Sequence, residues 1–419
     1  MSASHQSTAS QLLALLLAAL YAQTGAAQSD AYGPPRYEIE YRVVVGDGTD
    51  AEVSLHVTQQ SRVLRRLRFP NPAPEFTDFR GDGGALTHDG DDWVWTVDAD
   101  GGSLSWTAAL DRRRANGSVD AMKTDDWMLL RIEDLVPPIA SATRPGAESD
   151  ARMVFELPES WSIVTPYPQV AGSFPVEDAN RRLDHPDGWI VAGDIGVRYD
   201  RIANTTVAVA APRNQAARRL DVMTFLNWHL SYVRDLLPGF PERLLVAMAD
   251  DPFFRGGLSA PNSLFLHSDR PLVSGNGTST LLHELIHIGL GRSAGPEADW
   301  IVEGIAEYYS LALLYRAGSV TRRRHRNTQR DLREWGQDVS SLRTDRSSGP
   351  VTARAATVLS ALDAEIRRRS SGTYSLDDAV RTLAAGDGPI TLDALREAVR
   401  KLLGRDADAI ADANLPGYG

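Results

Sequence analysis

The stretch Thr280-Leu-Leu-His283-Glu284-Leu-Ile-His287 sets two histidines four residues apart with a carboxylate beside the first. On a helix, residues four apart share one face, so both imidazoles can reach a single metal ion. Zinc suits the pair, because it takes histidine nitrogen and a catalytic zinc keeps one position open for water. Glu284 is then placed to act as general base toward that water and to carry the proton to a leaving amine. The neighbours Leu281, Leu282, Leu285, Ile286 and Ile288 are apolar, which predicts a buried helix. Three unpartnered polar side chains would be costly there, and a bound metal satisfies them.

A third ligand is expected downstream. Trp300-Ile-Val-Glu303-Gly304-Ile-Ala-Glu307-Tyr308-Tyr309 reads as a second helix with two carboxylates one turn apart. Glu303 is assigned as the ligand. Glu307 is assigned as an acceptor for a histidine N–H, the kind of contact that fixes a ring's tautomer and orientation. Spacing alone leaves the reverse assignment open, and leaves Glu307 open as a solvent-facing carboxylate. His267 and His325 are further imidazoles, but neither shares helical register with the motif.

The elements that must position these residues fall into two kinds. Segments 37–45, 51–57, 92–97, 103–108, 127–132 and 152–157 are short, rich in β-branched and aromatic residues, and partly alternating, as strands are. Turn signals such as Gly46-Asp47-Gly48 and Gly81-Asp82-Gly83-Gly84 separate them. Short strands at this spacing predict a β-sandwich-like domain over 33–211. The pattern then changes. Residues 215–237 have helical periodicity, 243–249 and 262–267 read as strands, and 358–369, 375–383 and 392–403 read as amphipathic helices. A catalytic domain is expected over 212–315 and a helical region over 316–419. The run Arg322-Arg323-Arg324-His325-Arg326 reads as a solvated face or loop.

Composition narrows the classes. The 419 residues are 42% hydrophobic and 24% charged, enough chain for two or three domains. A net charge of −11 argues against a nucleic-acid partner, since phosphate binding needs a basic surface. Cysteine is absent, so neither disulfides nor a lipidated N-terminal cysteine are available. The apolar run from Leu12 to Ala22, followed by Gly25-Ala26-Ala27, reads as a signal peptide over 1–27, although no Lys or Arg precedes it. The run is shorter than the ~20 residues a membrane span needs. A periplasmic or secreted protein with no stable span after signal removal is expected.

HELIH followed by WIVEGIAEYY resembles the HExxH…WxxEG signature of gluzincin metallopeptidases, most like the bacterial glycyl-aminopeptidase type, with aminopeptidases of the leukotriene-hydrolase kind as cousins. The resemblance implies His283, His287 and Glu303 as ligands of one zinc ion and Glu284 as catalytic acid/base. The segment Gly256-Gly257-Leu258-Ser259-Ala260-Pro261-Asn262-Ser263 resembles the family's cleft-lining GGLEHxxS. It implies Gly256, Gly257, Leu258 and Ser259 as substrate contacts, with edge backbone pairing to an extended peptide. Segments 361–369 and 375–378 resemble the family's later helical region.

This sequence departs from the pattern in three places. Ser259-Ala260 stands where the family has Glu-His, and a glutamate there binds the substrate amine in the aminopeptidase cousins; endopeptidase or oligopeptidase action is therefore expected. The tyrosine of the family's YxKG segment, an oxyanion donor, falls at Thr352-Ala353-Arg354-Ala355, where there is none. Loss of such a donor costs about 10²–10³ in rate, and Tyr308, Tyr309 and Tyr374 are candidate replacements. The PDZ domain common in the family has no counterpart in this sequence.

Together these readings predict an α+β protein: a β-sandwich-like N-terminal domain, then a thermolysin-like zinc peptidase domain with a helical C-terminal region. The expected activity is hydrolysis of peptides or proteins by Glu-assisted attack of a zinc-bound water. A zinc-binding periplasmic binding or assembly module of weak catalytic power is the alternative.

Overall fold

The computed structural model describes residues 33–177 and 182–418; the expected export signal at 1–27 lies outside them. Strand Arg36–Val45 alternates strictly, burying Tyr37, Ile39, Tyr41, Val43 and Val45, the period-two pattern of a sheet with one wet face. It pairs in parallel with Glu148–Glu156 and antiparallel with Asp50–Gln59. Phe174–Val176 extends one side of this sheet, and Gly101–Ala109 then Phe76–Asp82 extend the other. A four-stranded antiparallel sheet, ordered Ala140–Thr143, Leu64–Phe69, Asp92–Val97, Gly84–Asp89, buries Leu64, Leu67, Phe69, Trp95 and Val97 in the same core. The N-terminal domain is therefore a sandwich of two sheets.

A further sheet joins this domain to the next. Its strands run in the order Ser162–Val164, Trp189–Gly193, Trp127–Arg131, Val119–Lys123, Arg112–Arg113. Met128, Leu130, Ile190 and Ala192 enter the N-terminal core. Trp127, Leu129, Trp189 and Val191 point the other way, into a core shared with Ala208, Ala210, Leu245, Ala247 and Phe265. Burial on both faces explains why these strands are continuous apolar runs rather than alternating ones.

The sheet of the metal-site domain runs Ile195–Ile202, Thr205–Pro212, Arg243–Ala249, Ser263–His267, Gly257–Ala260. Its inner strands pair in parallel and the short last strand is an antiparallel edge. The sequence reading set the domain boundary at 211. Ile195–Ile202 and Thr205–Pro212 form a hairpin that hydrogen-bonds to Arg243–Ala249, so the break falls between Gly193 and Ile195. Local pattern marks a strand, but its sheet is chosen by non-local pairing.

Against the other face of this sheet, Val207, Val209, Leu244, Val246, Leu264 and Leu266 meet the helices. These are α1 (Arg219–Leu236), α2 (Thr280–Leu290), α3 (Asp299–Arg316), α4 (Arg322–Trp335), α5 (Pro350–Arg369), α6 (Leu376–Ala384) and α7 (Leu392–Leu403). The second expected boundary was at 315. Leu359, Leu362 and Ile366 of α5, Val380 of α6 and Leu395 and Val399 of α7 share one core with α1, α2 and α3. Only α4 is poorly anchored, burying Thr328 and Leu332 alone. No helix among the described residues is long and apolar enough to cross a membrane.

Candidate metal centre and its cleft

Helix α2 begins at Ser279, whose hydroxyl accepts from the Leu282 N–H at 3.3 Å, and ends on Gly291 at φ 59°, the left-handed stop that glycine supplies without strain. Its apolar residues face the core, leaving His283 and His287 one turn apart on the opposite side with their Nε2 atoms 3.1 Å from each other. Helix α3 crosses this face. Glu303 Oε1 lies 3.2 Å from His287 Nε2, and Glu303 Oε2 lies 3.4 Å from His283 Nε2. Three ligand atoms thus converge within 4.8 Å of one another. Glu307, one turn on, places Oε2 3.2 Å from His283 Nδ1. The two carboxylates are therefore not interchangeable: Glu303 faces the convergence point and Glu307 braces the far side of one imidazole.

The electrostatics of the cluster carry the same message. Burial works against charge on His283, yet its hydrogen bonds to Glu303 and Glu307 outweigh burial and hold the imidazole well above its ordinary pKa. Burial likewise works against charge on Glu303, and the bonds to His283 and His287 outweigh it, holding the carboxyl far below the usual range. The cluster is built around positive charge at its centre. Two neutral imidazole nitrogens and a carboxylate oxygen form the donor set that a divalent zinc takes, so the residues present fit that ion.

Glu284 is buried, and its Oε2 accepts from the Ser259 N–H of the edge strand at 2.9 Å. This contact sets the composition of that strand. A Cβ on Gly257 would sit 2.6 Å from Glu284 Cγ and 2.8 Å from Thr280 Cγ2, so the backbone approaches α2 closely only because residue 257 has no side chain. Gly304 does the same for the second helix, where a Cβ would meet that of Ala355 at 2.8 Å. Glycine at 304 thus lets α3 lie close on α5.

Two cavities flank the cluster. One of about 530 Å³ is lined by Gly256, Gly257, Arg270, Thr280, Trp335 and Thr352 together with His283, Glu284, Glu303 and Glu307. The other, about 900 Å³, is lined by Leu258, Ser259, Ala260, Ile288, Arg346 and Val302 together with His283, Glu284, His287 and Glu303. Gly256 and Gly257 line the smaller cavity, and Gly257, Leu258 and Ser259 line the larger one. The larger cavity holds one more carboxylate, Asp299, and it accepts the Ser347 N–H.

The three tyrosine candidates lie away from the cluster. Tyr308 donates to Asp363 Oδ2 at 3.0 Å and lines a separate cavity behind α3. Tyr309 is fully buried and donates to Asp377 Oδ1 at 2.8 Å. Tyr374 is half-exposed beside α6. Among the described residues no tyrosine lines either cavity at the metal cluster. His267 and His325 are elsewhere too: His267 lies 3.4 Å from Asp251, and His325 stacks on Tyr315. Sequence reading missed Arg270, Trp335 and Ser347, which reach the cleft from loops and a helix end that carry no motif.

No family model matches this sequence, and no curated protein matches it. The fold is similar to that of solved zinc peptidases. An aminopeptidase N family protein from Idiomarina loihiensis superimposes with a TM-score of 0.61 at 14% identity, covering 91% of this chain and 74% of that one. A two-domain M1 zinc metallopeptidase mutant bound to L-tryptophan gives 0.57 at 15% identity, covering 92% and 95%. An M1 zinc metallopeptidase mutant from Deinococcus radiodurans, bound to a Tyr-Ser-Ala substrate, gives 0.54 at 15%, covering 92% and 94%. This chain therefore has the two-domain α+β fold of those metallopeptidases.

Proposed function

We propose that this protein is a zinc-dependent peptidase, with His283, His287 and Glu303 holding one Zn²⁺ and Glu284 serving as general acid/base. The observation that carries this reading is the convergence of the three donors beside a buried carboxylate that is anchored to a cleft-edge strand. When bound, zinc would polarise the scissile carbonyl and lower the pKa of a water toward about 7. Glu284 accepts the proton of the attacking water as its oxygen adds to the carbonyl carbon. It then delivers that proton to the amine nitrogen as the C–N bond breaks. The Ser259 N–H fixes where the carboxylate points, and Glu307 keeps the His283 Nε2 lone pair toward the metal position by holding Nδ1–H.

The outer side of the strand Gly257–Ala260 receives an extended peptide as an added strand. Cleavage away from chain ends fits best, because the cleft continues on both sides of the cluster and Ser259 offers no carboxylate to an N-terminal amine. The substrate-bound Deinococcus structure supports peptides as the substrate class. Export to the periplasm or beyond is part of the same proposal and rests on the apolar segment at 12–22.

The test is digestion of a diverse peptide mixture by the zinc-loaded protein, read by mass spectrometry, with Glu284→Gln as control. Internal cuts made by the wild type and lost in the variant are expected. Removal of single N-terminal residues would restore an aminopeptidase reading. The absence of tyrosine from both cavities among the described residues favours one rival, a zinc-binding module of weak catalytic power, and that reading prevails if the wild type makes no cuts.

A further inference from the structure

The loop between the strand Ser263–His267 and helix α2 brings Arg270 into the smaller of the two cavities, which it lines together with His283, Glu284 and Glu303. Its Nη2 and Nε donate to Thr280 Oγ1 at 2.9 and 3.3 Å, which holds the guanidinium against the first turn of α2. Among the described residues Arg270 has no carboxylate within ion-pair distance. Of the other arginines near the cleft, Arg114 pairs with Asp120, Arg255 with Asp251, and Arg292 with the carbonyls of Leu383, Asp387 and Gly388, while Arg346 lines the larger cavity instead. Arg270 is only partly exposed. A guanidinium removed from water in this way gains most from a carboxylate, which it binds by charge-assisted hydrogen bonds.

A basic helix adjoins the wall of the same cavity. Helix α4 carries Arg322, Arg323, Arg324, Arg326, Arg330 and Arg333 against only Asp331 and Glu334, in a chain whose net charge is −11. The helix is fastened to the cavity wall: Thr328 Oγ1 donates to Asn276 O at 2.7 Å, Arg324 Nη2 donates to Ser274 O at 2.9 Å, and Trp335 lines the cavity itself. Of the residues of α4, Trp335 lines this cavity, while His325, Gln329, Leu332 and Arg333 line the separate cavity behind α3, so the positive charge of the helix adjoins the cavity without entering it. The carboxylates in this cavity, Glu284, Glu303 and Glu307, are engaged by the edge strand and the histidines.

We propose that Arg270 binds a carboxylate of the peptide, so that preferred substrates are negatively charged on the Gly256 side of the scissile bond. The carboxylate comes from an Asp or Glu side chain or from the peptide's own C-terminus. This assignment rests on the reading of the cleft as a peptidase site. If the free C-terminus is the ligand, the enzyme trims short pieces from peptide ends; if a side chain is, it cuts internally beside acidic residues.

The experiment uses matched peptides that differ in one group, Asp against Asn within the sequence and acid against amide at the C-terminus. Cleavage is followed with the zinc-loaded wild type, Arg270→Gln and Thr280→Val, and binding is followed by calorimetry on Glu284→Gln. The wild type should favour one carboxylate form roughly ten- to hundredfold in kcat/KM, the worth of one charge-assisted hydrogen bond. Arg270→Gln should abolish that preference, so that the acidic and neutral peptides are cleaved with equal kcat/KM. Thr280→Val, which removes the acceptor that holds Arg270 and keeps the charge, should retain the preference. Equal loss in Thr280→Val and Arg270→Gln on acidic and neutral peptides alike would make Arg270 a structural staple and overturn the proposal. Hydrolysis with no carboxylate preference overturns it and leaves the peptidase reading intact. Carboxylate-dependent binding to Glu284→Gln with no hydrolysis by the wild type upholds Arg270 and removes the peptidase reading.

Discussion

Glu303 and Glu307 are identical in type and one helical turn apart, yet the geometry gives them different work. Glu303 faces both Nε2 atoms, and Glu307 touches only His283 Nδ1. Glu303→Ala should therefore abolish tight zinc retention, whereas Glu307→Ala should weaken it about 10–100-fold; metal analysis after competition with a chelator separates the two. The opposite order would exchange the roles. The convergence of His283, His287 and Glu303 was legible in the sequence because an HExxH run on an apolar helix and a downstream carboxylate leave few other arrangements. The oxyanion candidates were not. Tyr308 and Tyr309 follow Glu307 directly, and successive helical residues turn by about 100°. A helix that points 303 and 307 at the metal must point 308 and 309 elsewhere, and both rings indeed bond to carboxylates of later segments.

At the scale of elements, the cleft depends on two close approaches that only glycine permits. Gly257→Ala would drive a methyl group into Glu284 and Thr280. It should lower kcat/KM by at least about tenfold, as misplacement of a catalytic group does, with a small change in Tm. Gly304→Ala should do the reverse. Its methyl would collide with Ala355 and force α3 from α5, an overpacking cost of about 1–3 kcal/mol that thermal unfolding would register. Strands with strong local pattern, such as Asp92–Val97, were readable to the residue. Their partners were not: the hairpin Ile195–Pro212, expected with the N-terminal strands, pairs with Arg243–Ala249. Helix α4 was visible only as a charge run, because it buries too little for an apolar stripe to mark it.

At the scale of the whole molecule, the sheet containing Trp127–Arg131 and Trp189–Gly193 is covered on both faces, by the N-terminal core on one side and the metal-site sheet on the other. At its end Glu133 is pushed up to about 7, chiefly by burial and further by nearby Asp187, while its Oε2 accepts the Gly188 N–H. The folded state holds this proton more tightly than the unfolded one, so its stabilising effect is complete below about pH 4.5 and is lost as pH rises through about 7. Glu133→Gln should match the wild type near pH 4.5 and exceed it above pH 7, by up to about 3 kcal/mol. Tm profiles of the two proteins that stay parallel across that window would refute this.

The doubly covered sheet also bears on inheritance. A chain cut at 194 would bare Trp127, Leu129, Trp189 and Val191 on one fragment and Ala208, Ala210, Leu245 and Phe265 on the other, leaving both with adhesive surfaces. Recombination therefore has no clean seam at this junction, and the two halves are constrained to travel through descent together.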